Sequence, residues 1–205
     1  MKLFCSKFKP IALIVIFVLI SNVSFSKESN VQLLKPDWSF NGFFGKFDRA
    51  SLQRGYQVYK EVCASCHSMS LLSYRNLAEK GGPEFTVEEV KAIASQFEVT
   101  DGPNNDGEMF QRSRKPSDRF ASPYPNQNAS RAANGGAYPP DMSVLVKARP
   151  GGSDYIYSVL MGYEEKTPEN IKLEEGVYYN KYMTGNKIRM ASPLSEGVIE
   201  YTDGT

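Results

Sequence analysis

Apolar residues recur at helical spacing just before the middle third of the chain. Leu52, Tyr56, Tyr59 and Val62 are separated by three or four positions, so they share one face of a helix that Asp48 or Ser51 can cap. Thr86-Val87-Glu88-Glu89 is a capping box, and the Val87, Val90, Ala94 and Phe97 stripe behind it predicts a second helix. Shorter helices are predicted over 128–133, 141–148 and 153–160, the last two stopped by Pro150-Gly151-Gly152 and Gly162. No segment shows the apolar/polar alternation of a half-buried strand. The pattern therefore predicts a mainly α fold with long loops. The longest, 99–125, is rich in Gly, Pro, Asn and charge, and a loop of that length is usually functional or disordered. Trp38, Phe40, Phe43, Phe44 and Phe47 form an aromatic cluster expected to pack in the core.

The N-terminus has a different pattern. Lys2, Lys7 and Lys9 precede an unbroken apolar run over 11–20, and Ser24-Phe25-Ser26 supplies a small-x-small cleavage site. The run falls short of the roughly 20 residues that cross a hydrocarbon core, so 1–26 reads as a secretory signal peptide and 27–205 as a single exported domain. Cleavage would remove three lysines and no acid, turning a formal charge of +1 into −2. Such a balance argues against a nucleic-acid partner. It would also remove Cys5, leaving two of the three cysteines.

Those two cysteines carry the chemistry. Cys63-Ala64-Ser65-Cys66-His67 is the C-x-x-C-H spacing at which two sulfurs bond to haem vinyl groups and the adjacent imidazole ligates iron. A structural zinc site needs four ligands, and outside the signal segment there is no further Cys or His to complete one. A redox dithiol would open a helix within a βαβ pattern, whereas this motif closes one. With one such motif, the chain is expected to carry one covalently bound haem c. His67 is the only histidine, so bis-histidine ligation is excluded and a second soft ligand must be methionine. Met69 lies too close to His67 to cross the haem, Met109 falls in the long loop, and Met142 and Met161 fit apolar helix faces. Met183 and Met190 remain, in a late segment able to close over the haem. The Met190 segment, Ile188-Arg189-Met190-Ala191-Ser192-Pro193-Leu194, adds apolar neighbours and a stiffening proline.

Beyond the haem motif the chain resembles the cytochrome c1 family. The resemblance is carried by Arg54-Gly55-Tyr56-Gln57-Val58-Tyr59-Lys60-Glu61-Val62, Asp101-Gly102-Pro103-Asn104, Asp106-Gly107-Glu108-Met109-Phe110 and Pro123-Tyr124-Pro125-Asn126. Further matches are Arg131-Ala132-Ala133-Asn134, Pro139-Pro140-Asp141, Lys147-Ala148-Arg149 and Gly151-Gly152-Ser153-Asp154-Tyr155. It implies a single-haem cytochrome c-like domain with long loops. It also implies the electron-carrier subunit of a ubiquinol:cytochrome c reductase in a respiratory chain, with no catalytic site of its own. Its partners would be cytochrome b, the Rieske iron-sulfur protein as donor and a soluble cytochrome c as acceptor. The setting would be the periplasmic face of a bacterial inner membrane, with membrane association through the complex.

The same resemblance implies residue roles. Met190 stands in the family's ligand segment, with Ser192 where a second proline is more usual. Arg131 and Tyr124 would bind haem propionates, and Pro139-Pro140 would form a stiff wall beside the haem. The family continues past the segment resembling Glu200-Tyr201-Thr202-Asp203-Gly204-Thr205 into a membrane helix, so the sequence is expected to be a truncated form. Acids at 154–175 (Asp154, Glu164, Glu165, Glu169, Glu174, Glu175) and at 84–108 are candidates for steering a basic cytochrome c. A carrier fills the sixth iron position, whereas a haem enzyme or gas sensor keeps it open.

Overall fold

A computed structural model describes residues 31–201, so the expected signal peptide lies outside the described residues. Among the described residues there are four α-helices: α1 (Arg49–Glu61), α2 (Val87–Ser95), α3 (Gln127–Ala133) and α4 (Gly152–Met161). Three short 3-10 turns and two small antiparallel sheets complete the described fold. One sheet pairs β1 (Glu98–Asp101) with β2 (Phe110–Ser113), the other β3 (Tyr178–Tyr179) with β4 (Lys187–Ile188). Among the described residues no helix is long and apolar enough to cross a membrane.

The two best-marked helices start where their caps predict. Asp48 accepts from the Ser51 amide at 2.6 Å to open α1. Thr86 and Glu89 form the reciprocal capping box of α2. Their inner faces meet in the core, formed by Tyr59 from α1, Val90 and Ala94 from α2, Tyr74 and Leu77 from the 3-10 turn between them, and Phe120. Tyr74 and Phe120 stack at 4.6 Å, and Phe120 also meets Tyr59 edge-on at 6.0 Å. Aromatic mass therefore supplies much of the burial next to the haem motif.

Three expectations are corrected. The segment 141–148 forms successive turns rather than a helix: the Met142 amide leaves the local ladder for the Ser68 carbonyl at 2.8 Å, and the Asp141 side chain takes the Ser143 amide. The 99–125 loop contains the β1–β2 hairpin, in register Val99↔Arg112 and Thr100↔Gln111. Its strands show no apolar alternation because polar pairs hold it. Gln111 donates to Thr100 Oγ1 at 2.6 Å, and Arg112 bridges Asp101 and, at 2.6 Å, Asp118. Finally, of the aromatic cluster only Trp38 and Phe40 are half-buried, while Phe43 is 96% exposed, Phe44 87% and Phe47 56%. Trp38 is fixed by its Nε1–H donating to Asp154 at 2.6 Å and by an edge contact with Tyr157 on α4. Phe43 and Phe44 instead pack on each other.

Candidate haem site

α1 ends at Glu61, and the chain tightens into a 3-10 turn over Cys63–Ser65. The Cys66 and His67 amides both donate to the Cys63 carbonyl, at 3.1 and 2.8 Å. This compact turn fixes the spacing of the two sulfurs and carries His67 directly after them. Both thiols are free and half-buried. Burial pushes the Cys63 thiol above its ordinary range.

His67 has a defined orientation. Its Nδ1 lies 2.8 Å from the Pro140 carbonyl oxygen. A carbonyl only accepts, so Nδ1 carries the proton and the Nε2 lone pair is left for a metal. The Pro140 carbonyl is held in turn by a set of hydrogen bonds between 68–71 and 141–143. Asp141 Oδ2 accepts from Ser68 Oγ at 2.8 Å, the Ser70 amide at 2.9 Å and Ser70 Oγ at 2.7 Å. Its Oδ1 accepts from the Ser143 amide at 2.8 Å, and Ser143 Oγ accepts from the Leu71 amide at 3.0 Å. Partial burial alone would raise the Asp141 pKa, but the hydrogen bonds from Ser143 and Ser70 outweigh it and hold the carboxyl well below the usual carboxylate range.

Two cavities flank the turn. One, of about 170 Å³, is walled by Tyr56, Tyr59, Ala64, Tyr74, Phe97 and Phe120. The other, of about 260 Å³, is bordered by Cys66, Tyr124, Ser130, Tyr138, Pro139 and Asp141. Among the described residues, Tyr59 Oη is the one buried side-chain N or O without a hydrogen-bond partner. Burial pushes its phenol up to about 12, so it remains a donor. These features fit a covalently held haem: a free thiol pair at attachment spacing, an imidazole with its iron-facing nitrogen available, and aromatic walls around the turn.

The other expected residues fall into place unevenly. Tyr124 is brought to the same cavity as Cys66. Arg131 lies on α3, exposed, donating to the Gly136 carbonyl at 2.9 Å and stacked over the Tyr138 ring at 5.5 Å. Its neighbour Ser130, not Arg131, borders the cavity. Met190 is half-buried, and its backbone carbonyl accepts from Tyr163 Oη at 2.9 Å. The Met183 sulfur accepts instead from Tyr155 Oη at 3.5 Å, a contact that engages it and distinguishes the two methionines. Of the acids considered for docking, Asp154 is committed to Trp38 and Asp101 to Arg112, while Glu164, Glu165, Glu169 and Glu175 are exposed.

Two supporting positions escaped sequence reasoning. Asn180 is fully buried, donates to the Val159 carbonyl at 2.7 Å and accepts from the Tyr182 and Met183 amides at 3.1 and 3.2 Å. It ties the β3–β4 hairpin to α4. Gly162 permits that approach, because a Cβ there would fall 2.6 Å from the Tyr182 ring and 2.8 Å from Asn180 Oδ1. Neither lies in a recognisable motif. The only signal was Gly162 itself, which reads equally well as a simple helix stop.

A helix running into a C-x-x-C-H turn, with the histidine ring pinned to a proline carbonyl, is the arrangement of a c-type cytochrome. The Cytochrome C1 family model matches residues 38–205, and the chain belongs to that family. It is 52% identical to the Cytochrome b/c1 of Bradyrhizobium diazoefficiens, over 82% of this chain and 27% of that protein. It is 52% identical to Cytochrome c1-2, heme protein, mitochondrial, of Solanum tuberosum, over 82% of this chain and 63% of that protein. It is also 43% identical to the Cytochrome c1 of Rhodospirillum rubrum, over 88% and 71%. The chain thus spans between about a quarter and two thirds of the length of the first two relatives.

Proposed function

We propose that the chain is a mainly α, cytochrome c-like electron-carrier domain of a ubiquinol:cytochrome c reductase. It would carry one haem c through Cys63, Cys66 and His67, with Met190 as the second axial ligand and Tyr124 and Arg131 toward the propionates. The observation that carries this reading is the His67 ring, held by the Pro140 carbonyl in the tautomer a metal needs, next to two free thiols at attachment spacing. When bound, the haem supplies the one-electron couple. The chain's own contribution is to fix the axial imidazole, wall the turn with aromatic side chains and present an acidic surface. Met/His ligation raises a haem potential, as transfer to a late carrier requires.

By this reading the domain covers 27–205 behind a signal peptide at 1–26. It would work beside cytochrome b at the periplasmic face of a bacterial inner membrane, receive electrons from the Rieske iron-sulfur protein and pass them to a soluble cytochrome c. Support for the complex comes from the family and from relatives named for cytochrome b/c1 and the cytochrome b-c1 complex.

Acid-acetone extraction tests the attachment: haem should remain on the polypeptide, and haem leaving the chain would refute the c-type reading. Stopped-flow mixing of the reduced domain with a basic soluble cytochrome c tests the transfer. The second-order rate should fall steeply as salt rises past ~0.1 M, where screening shortens to about 10 Å. A rate flat across ionic strength would remove Glu164, Glu165, Glu169 and Glu175 from the docking surface.

A further inference from the structure

We propose that Asp141 is a positioning residue for the axial histidine, holding the Pro140 carbonyl on the His67 ring and thereby setting the haem potential. The inference rests on reading His67 as the iron ligand.

Prolines at 139 and 140 have no N–H, so this segment has no amide of its own to tie it to the irregular segment that follows the haem motif. The carboxylate of the next residue does so instead. Its Oδ2 gathers three donors from Ser68 and Ser70, and its Oδ1 the Ser143 amide. The Met142 amide to the Ser68 carbonyl, at 2.8 Å, and the Leu71 amide to Ser143 Oγ, at 3.0 Å, close the rest of the clasp. His67 is one residue from Ser68, and Pro140 one residue from Asp141, so the two segments meet at the imidazole with nothing intervening. Loosening the carboxylate therefore lengthens the bond from Nδ1–H to the Pro140 carbonyl before it disturbs anything else. A strong bond at Nδ1 makes the imidazole more electron-rich and favours oxidised iron; a weak one does the opposite.

Asp118 is the internal control. It too is a carboxylate with several donors, from Arg112 and the Lys115 amide, but it serves the β1–β2 hairpin. Asp141→Asn in the haem-loaded protein should raise the midpoint potential. It should also speed exchange of the His67 Nδ1–H, followed by proton NMR of the reduced form, by about tenfold, the effect of losing one net hydrogen bond. Asp118→Asn should lower stability and leave both readouts unchanged. Should Asp141→Asn not fold, Ser70→Ala removes one donor and should give a smaller shift of the same sign. Covalent haem with an unchanged potential and unchanged ring exchange in Asp141→Asn, or in Ser70→Ala where that variant is used, overturns the positioning role alone. Haem released by acid-acetone from the parent protein overturns the ligand reading beneath it.

Discussion

The two segments assigned to the iron are held in different ways. On the histidine side, a carboxylate, three serine side chains and three backbone amides clamp 140–143 to 67–71, and the imidazole is oriented by bonds already present in the polypeptide. On the proposed methionine side, firm anchoring stops at Asn180, which fastens the β3–β4 hairpin to α4. Beyond it, the Met190 backbone takes one phenol hydrogen bond from Tyr163, and Arg189 sits 3.7 Å from Glu174 at an exposed edge, where an ion pair contributes little. The histidine is thus preset by the fold, while in the proposed ligation the methionine loop would depend on its bond to iron to stay closed. In that ligation the weaker constraint would fall on the ligand that most strongly sets whether the haem carries electrons or binds gas.

Removing the anchor should have the largest effect. Asn180→Ala leaves the Tyr182 and Met183 amides without their acceptor and the Val159 carbonyl with the Gly162 amide alone, so denaturant unfolding should show a loss of about 2–3 kcal/mol. The comparison predicts that the loss weakens the Met190 bond while exchange of the His67 Nδ1–H stays at its parental rate. A matching change on the histidine side would break the distinction.

Tyr163→Phe sharpens it with a smaller effect. The Met190 carbonyl loses its donor, costing about 1 kcal/mol. Hydrogen exchange should rise over 189–194 and remain unchanged over 67–71 and 140–143.

Arg131→Ala asks whether the arginine serves the haem or only its own turn. Loss of the bond to the Gly136 carbonyl predicts a stability change of about 1 kcal/mol. The proposed propionate role adds a shift in potential, and an unchanged potential would reduce Arg131 to a cap of the 134–138 turn.

Acid should also act away from both proposed ligands. Arg112 holds the Asp118 carboxyl down to about 2, below its unfolded value near 4. A depressed folded pKa contributes stability that is complete above the unfolded value and is lost as pH falls from about 4 toward 2. Asp118→Asn should remove that part of the pH dependence in acid titrations of unfolding.

The same contrast explains what could be read in the sequence. The caps at Asp48 and Thr86, the helix carrying Leu52, Tyr56 and Tyr59, and the C-x-x-C-H turn that closes it are local signals: each depends on residues three or four apart and stands where its spacing predicts, although Val62 of the stripe falls just past the helix end. The β1–β2 hairpin was invisible because Gln111, Arg112, Thr100 and Asp101 hold it by polar pairing, which leaves no apolar alternation to detect. The 141–148 turns were misread because their first carboxylate bonds to residues about seventy positions earlier. Phe43 and Phe44 were misplaced for the opposite reason: aromatic composition states what could be buried, not what covers it. Asp141 stood inside a recognised segment without a role, since its partners become visible only when the chain is folded.

Carbon monoxide binding to the reduced, haem-loaded protein tests the central claim most directly, because it reports whether the sixth position is filled and by which residue. The account predicts no spectral change with carbon monoxide in the parent protein or in Met183→Leu. It predicts ready binding and a sharply lowered potential in Met190→Leu. Carbon monoxide binding to the parent, or opening by Met183→Leu with Met190→Leu still closed, would contradict it.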